Sequence, residues 1–268
     1  MRIWFQSAVE MTATAGPYQD ALARHFARVA DPSTEVVLHG VEPGTWAGRQ
    51  PSELFGYPAI FLAALGPAIL RNAVRAEREG YDAFVIGTYI EPFLREVRSA
   101  IDIPVVSSFE ATLLVGCSTA QTLGIVTLNR SLAAILRRSL ERHALGSRVG
   151  PILPMEPELT EREIIGVFSD PESWLARFRL TASRAVAAGA EAIIPAEAIL
   201  AVIAASHGID RVDGATILDG VGLPILYAEM LVHLARRTGW RTGRGFHHAK
   251  PPAELMDRFV ARLGPVRD

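Results

Sequence analysis

The sequence predicts an α/β protein of two pseudo-symmetric lobes, each a mostly parallel sheet flanked by helices, with a ligand cleft between them. Three observations carry that expectation. Short β-rich runs alternate with amphipathic segments along most of the chain. A nine-residue pattern occurs twice, as GYDAFVIGT at residues 80–88 and as GAEAIIPAE at 189–197. The acids that follow the next strands, Glu110 and Asp219, repeat at the same offset of 109 positions as Gly80 and Gly189 or Thr88 and Glu197.

The strand candidates, in order, are RIWF (2–5), TEVVLH (34–39), YDAFVIG (81–87), IPVVSS (103–108), LGIVTL (123–128), EAIIPA (191–196) and ATILDG (215–220). Their nearly continuous apolar character suits strands covered on both faces, which is the habit of parallel sheets. Between them, YQDALARHFARVA (18–30), PAILRNAVRAERE (67–79) and PESWLARFRLTASRAVAAG (171–189) place apolar residues at three- and four-residue spacing, as surface helices do. Pro171 and Gly189 punctuate the third of these. The stretch 39–61 is rich in Gly, Pro and aromatic residues and too long for an ordinary connection; a lid, a pocket wall or a partly helical insertion are all open.

An internal duplication accounts for the repeat economically, each copy supplying one α/β lobe. The expected division is residues 1–115 as the first lobe, with 220–240 packing back on it, 116–220 as the second, and 241–268 as a C-terminal tail.

Composition narrows the function classes. The chain has 268 residues, 49% of them hydrophobic, enough to bury a substantial core. Net charge is only −2, so there is no basic field for nucleic acid. The one cysteine, Cys117, excludes an intrachain disulfide and cysteine-rich metal sites, and reads as a small buried hydrophobe. No signal-peptide layout and no membrane-spanning apolar run stand out, so the reading is a cytoplasmic protein without a membrane partner. The histidines lack metal-ligand spacing and GVGLP (220–224) falls short of a dinucleotide fingerprint, so no metal and no cofactor are expected.

Candidate site residues follow from strand ends. Ligands of open α/β sheets bind outside the carboxyl ends of the strands. Thr88 and Glu197 then face one another across the cleft, and the helices that follow, the second beginning at Ala198, aim backbone N–H groups into it. Gln6, Ser7, Ser107, Ser108 and Thr127 sit at other strand ends and are candidate hydrogen-bonding groups for a substrate. Tyr89 offers a phenolic donor or packs. Glu110 and Asp219 either meet polar substrate groups or cap the helices after them.

The segments IWFQS, EGYDAFVIGTYIEPFLREVRSAIDIPVVSSFEA, GIVT, AGAEAIIPAEA and VDGATILDGVGLPILYAEMLV, in that order, resemble the aspartate/glutamate racemase superfamily, nearest its hydantoin and allantoin racemase branch. The resemblance covers roughly residues 1–238. It implies a cofactor-independent, oligomeric enzyme with two lobes and two cysteines facing each other across the substrate carbon. Those cysteine positions fall on Thr88 and Glu197, so both thiols are replaced. Racemisation needs a proton-handling group on each face of the carbon. A carboxylate, ordinarily near pKa ~4.3, serves as one when desolvation raises it, whereas an alcohol is a very poor base. The expected catalyst is Glu197, with Thr88 as hydrogen-bond donor, acting on a small carboxylate or a hydantoin-like cyclic amide. Isomerisation, hydrolytic ring opening and decarboxylation remain open, as does a ligand-binding protein on the same fold.

Overall fold

The computed structural model describes residues 1–12, 15–159 and 161–263. The first lobe is a four-stranded parallel sheet in the order β2-β1-β3-β4, formed by β1 (Arg2–Glu10), β2 (Glu35–Val41), β3 (Ala83–Ile86) and β4 (Val105–Ser107). The second holds β5 (Leu123–Thr127), β6 (Val149–Pro154), β7 (Ala192–Pro195), β8 (Arg211–Val212) and β9 (Ala215–Ile217), in the order β6-β5-β7-β9-β8. Setting β1 beside β5, β2 beside β6, β3 beside β7 and β4 beside β9 superimposes the two orders. The duplicated sequence is therefore a duplicated topology, and only the antiparallel edge strand β8 lies outside it.

The repeated glycines have a backbone reason. Gly80 and Gly189 both take positive φ, +75° and +96°, where a Cβ would be strained, and each turns the chain from a helix into the next strand.

The helices are α1 (Gly16–Val29), α2 (Pro58–Arg78), α3 (Leu94–Ala100), α4 (Ser108–Thr119), α5 (Arg130–His143), α6 (Glu161–Gly166), α7 (Glu172–Ala187), α8 (Ala198–Ser206), α9 (Gly222–Thr238) and α10 (Ala253–Arg262). Two of them cross between lobes. Helix α4 follows the first-lobe strand β4 yet packs on β5 and β7, while α9 follows the second-lobe strand β9 and packs on β3 and β4. Helix α1 stays on β2 of its own sheet and also meets α8 and α9. The sequence-drawn boundary at residue 115 falls inside α4 for this reason.

Three sequence expectations change. Helix α2 begins at Pro58, not Pro67, and runs through Pro67, because Phe61, Leu65, Ile69 and Ala73 form one buried stripe whose packing offsets the missing N–H. Running from Pro58, α2 spans 21 residues with a mean hydropathy of 1.3 in its most apolar window, so it does reach the length and composition of a membrane span. In the fold it is a core helix, over half buried. The last stretch is more than a tail: Arg244 donates to Arg98 O and Ile101 O, and Met256 and Val260 of α10 pack on the hydrophobic core to which α2 belongs.

His39, within β2, stacks on Trp4 with ring centroids 3.3 Å apart and an interplanar angle of 8°. Burial, aided by the Arg75 charge, depresses its pKa to about 4. A histidine held neutral in this way binds its proton more readily in the unfolded chain, so its stabilising contribution is complete above about pH 6.5 and is lost as pH falls toward 4. Urea titrations between pH 7 and pH 4 are expected to show this loss, and His39→Phe, which keeps the stack, is expected to flatten that part of the profile.

Candidate active site at the lobe junction

Strand β7 ends at Pro195, and Glu197 two residues later becomes the N-cap of α8. Its extended backbone, φ −169° and ψ 142°, turns the carboxylate back so that Oε2 accepts the Ile199 N–H at 2.6 Å. An acid at a helix N-terminus is electrostatically favoured there. The same side chain forms part of the wall of an interlobe cavity of about 240 Å³. Thus Glu197 is both cap and cavity group, and the capping bond fixes where its carboxylate points.

The rest of the wall is largely apolar. Val9, Trp46 and Phe55 come from the first lobe, and Leu128, Phe168 and Ile199 from the second. Trp46 and Phe55 belong to the Gly/Pro/aromatic insertion, which contributes six residues between 46 and 55. Indole Nε1 of Trp46 donates to Ala8 O at 2.8 Å and its backbone N–H to Glu10 Oε1 at 3.0 Å, so the insertion is pinned to β1. Of the outcomes left open by the sequence, two hold together: the segment lines a pocket, and it is partly helical, with a 3₁₀ turn at Pro51–Leu54 and the start of α2 at Pro58.

Tyr18, in the first turn of α1, lines the cavity from the first lobe and is 5% exposed. Burial and, after it, the nearby Glu197 carboxylate push its pKa well above the ordinary phenol range, while a hydrogen bond with Ser7 pulls it partly back. No strand-end rule points to this residue. Its spacing with Ala21, Leu22 and Phe26 reads as helix core, which those three are.

The other candidates are distributed around the junction. Thr88 follows β3 and is half-buried; its carbonyl accepts the Glu91 N–H at 3.3 Å, and it lies outside the 240 Å³ cavity wall. Both ends of the Gln6 amide are occupied: Nε2 donates to Ser7 O and Gly40 O, and Oε1 accepts from Trp4 Nε1 and Asn72 Nδ2. Ser7 Oγ accepts the Val9 N–H at 3.2 Å. Thr127 lies opposite Pro154 in the β5–β6 pairing, one step beyond the Val126–Pro195 pair and so close to Glu197. Its buried hydroxyl has no hydrogen-bond partner among the described residues. Ala198 is buried in the first turn of α8.

Asp219 caps α9, accepting the Gly222 N–H at 2.8 Å, and binds His25 Nε2 at 2.8 Å. Arg28 faces His25 Nδ1 at 3.0 Å. A guanidinium has only donors, so Nδ1 is the acceptor and Nε2 carries the proton given to Asp219. Burial raises the Asp219 pKa, but the bond from His25 and the helix amides outweigh it, leaving the carboxyl below its ordinary range. In α4 the matching cap is Ser107, whose Oγ accepts the Glu110 N–H at 3.2 Å. The cap geometry therefore pairs Asp219 with Ser107, three positions away from the sequence pairing with Glu110. Ser108 is the buried first residue of α4, and its carbonyl accepts the Thr112 hydroxyl at 2.7 Å.

Glu110 instead joins a buried polar network that the sequence reading missed. Arg98 Nη1 reaches Glu110 Oε1 at 3.1 Å, and His143 Nδ1 lies 3.5 Å from the same oxygen. The other His143 nitrogen meets Glu91 Oε2 at 2.6 Å, while Ser107 Oγ donates to Glu91 Oε1. Glu91 is 3% exposed and holds a left-handed backbone, φ +50°. Because His143 is on α5 and Glu91 follows β3, the pair ties the lobes together. Burial lowers the His143 pKa, but the Glu91 bond and the two carboxylate charges outweigh it and raise it above 6.5. Burial likewise raises Glu110, and Arg98 brings it below the ordinary range.

Residues 60–223 match the Asp/Glu/Hydantoin racemase family. The chain belongs to that family. A hydantoin racemase from Pseudomonas sp. (strain NS671) is 28% identical over 173 residues, covering 64% of this chain and 67% of that one. Among solved structures, an allantoin racemase from Klebsiella pneumoniae aligns with a TM-score of 0.77 at 19% identity, over 94% of each chain. An allantoin racemase from Pseudomonas fluorescens gives 0.72 at 21% identity, covering 94% of this chain and 97% of the other. At these identities the structural matches establish the two-lobed fold. Cys117 lies on α4, outside the cavity wall.

Two outcomes follow from this geometry. A Cβ on Gly220 would lie 1.5 Å from the buried Tyr89 hydroxyl, so Gly220→Ala is expected to lose about 1–3 kcal/mol in urea unfolding. Adding Tyr89→Phe is expected to recover part of that loss, a non-additive pair. A histidine with a raised folded pKa stabilises fully below about pH 6.5, and its contribution fades as pH rises through the folded value. Unfolding measured across neutral and mildly alkaline pH is expected to show that decline, and His143→Gln to flatten it.

Proposed function

We propose that this racemase-family protein moves a proton at the carbon next to a carbonyl in a small carboxylate or hydantoin-like cyclic amide, with Glu197 as the base. The observation that carries the reading is the position of Glu197, at the carboxyl end of β7 and in the wall of an interlobe cavity. Ligands of α/β sheets collect at such strand ends.

The cavity supports a compact substrate. Its volume of about 240 Å³ lies below the ~300 Å³ at which drug-sized sites begin. The aromatic and aliphatic wall suits an apolar substituent on the reacting carbon. Arg49, also in the wall, is ion-paired with Glu53 at 3.2 Å and would meet a carboxylate or ring carbonyl by turning from that pair. The N–H groups of α8 add the positive end of a helix near the place where negative charge develops in an enolate.

Isomerisation is favoured over ring opening and decarboxylation because the hydantoin racemase and the two allantoin racemases that the chain resembles are racemases. Proton NMR in D₂O on 5-substituted hydantoins, cyclic imides and 2-substituted malonates separates the three. Loss of the α-proton signal with the ring intact is expected, and Glu197→Gln is expected to slow it by at least about 100-fold. Ring-opened or decarboxylated product would replace the isomerase reading, and full activity of the Gln variant would remove Glu197 from the chemistry.

A further inference from the structure

Proton transfer that inverts a carbon needs a second group on the face opposite the base. Thr88 lies outside the cavity wall and its alcohol is a very poor base. Tyr18 is placed differently. It lines the cavity from α1, which follows β1 of the first lobe, whereas Glu197 lines it from the start of α8 in the second, so the two groups reach one cavity from elements of different lobes. Residue 18 also lies outside the 60–223 span of the family match.

The surroundings hold the phenol in a defined place. Its ring packs near Phe168, centroids 6.3 Å apart, and Pro17 fixes the start of its helix. Ser7, itself 2% exposed, hydrogen-bonds the hydroxyl and is anchored in turn by the Val9 N–H. Burial and the Glu197 charge keep the phenol protonated at neutral pH, the form required of an acid.

Resting on the Glu197 reading, we infer that Tyr18 is the second catalytic residue, the acid that returns a proton to the substrate on the face opposite Glu197. The Glu197 carboxylate takes the α-proton as the C–H bond breaks, and that electron pair moves into the adjacent carbonyl to give an enolate. The enolate carbon then forms a new C–H bond with the Tyr18 phenolic proton, and the O–H electron pair stays on the oxygen as phenolate. After product leaves, the proton on Glu197 passes to the phenolate through water, restoring both groups. No oxidant, reductant or co-reactant is consumed.

The test measures deuterium uptake and inversion in one tube. Enantiopure 5-benzylhydantoin, chosen for the aromatic wall, is followed in D₂O by proton NMR and by chiral chromatography. The unmutated protein is expected to exchange and invert together. Tyr18→Phe, which keeps the ring, is expected to exchange the α-proton within about 5-fold of the parent but to invert at least about 100-fold more slowly, because Glu197 alone returns deuterium to the same face. Surviving exchange also certifies a folded site. Inversion by Tyr18→Phe within about 3-fold of the parent would overturn the inference and leave Glu197 in place. An equal loss of exchange and inversion would overturn it too, since the phenol would then be stabilising the enolate. Absence of both processes in the unmutated protein would end the Glu197 reading and the role of Tyr18 with it.

Discussion

The exchange of helices between the two sheets is the constraint on which the rest of the molecule depends. Strands β4 and β9 hold equivalent places, and the helix after each leaves its own sheet: α4 for β5 and β7, α9 for β3 and β4. Each lobe is thus covered partly by the other's helix, and neither sheet is closed without its partner. The crossing also brings the carboxyl ends of both sheets into one region. Polar groups gather there because buried hydroxyls and carboxylates cost free energy unless paired, and the junction is where partners from both lobes meet.

How tightly the junction is built shows in two contacts. Asp219 caps α9 and holds His25 of α1, joining the exchanged helix to a first-lobe helix. Gly220, next in the chain, leaves room for the Tyr89 hydroxyl where a methyl group would not fit. Around the corner, Glu91 and His143 make the equivalent connection between the loop after β3 and α5. Removing one member of such a buried pair leaves a charge without compensation, which is costlier than losing the pair as a whole.

Strand ends were legible in the sequence because they are local: a glycine at positive φ, an apolar run and a polar terminus occur within nine residues. The duplication multiplied that signal, and Glu197 emerged from it. Strand β6, VGPILP, was hidden by its glycine and two prolines, and β8 has only two residues. The 109-position register failed at Glu110 because Ser107 and Asp219 cap their helices, a fact of geometry invisible in an offset. Glu91 with His143, and Tyr18 with Glu197, are pairings of residues distant in the chain that carry no shared motif. Tyr18 in particular has the spacing of a core residue, and only the fold places it in the cavity wall.

The insertion between β2 and α2 has a different kind of consequence. It lies before residue 60, ahead of the family match, yet it supplies much of the cavity wall and fastens to β1 mainly through Trp46. The sheets that carry the strand-end acid and the segment that shapes the space around a ligand are therefore separable pieces of chain. Such a division lets the shape of the cavity change through one surface segment while the strand-end carboxylate keeps its place.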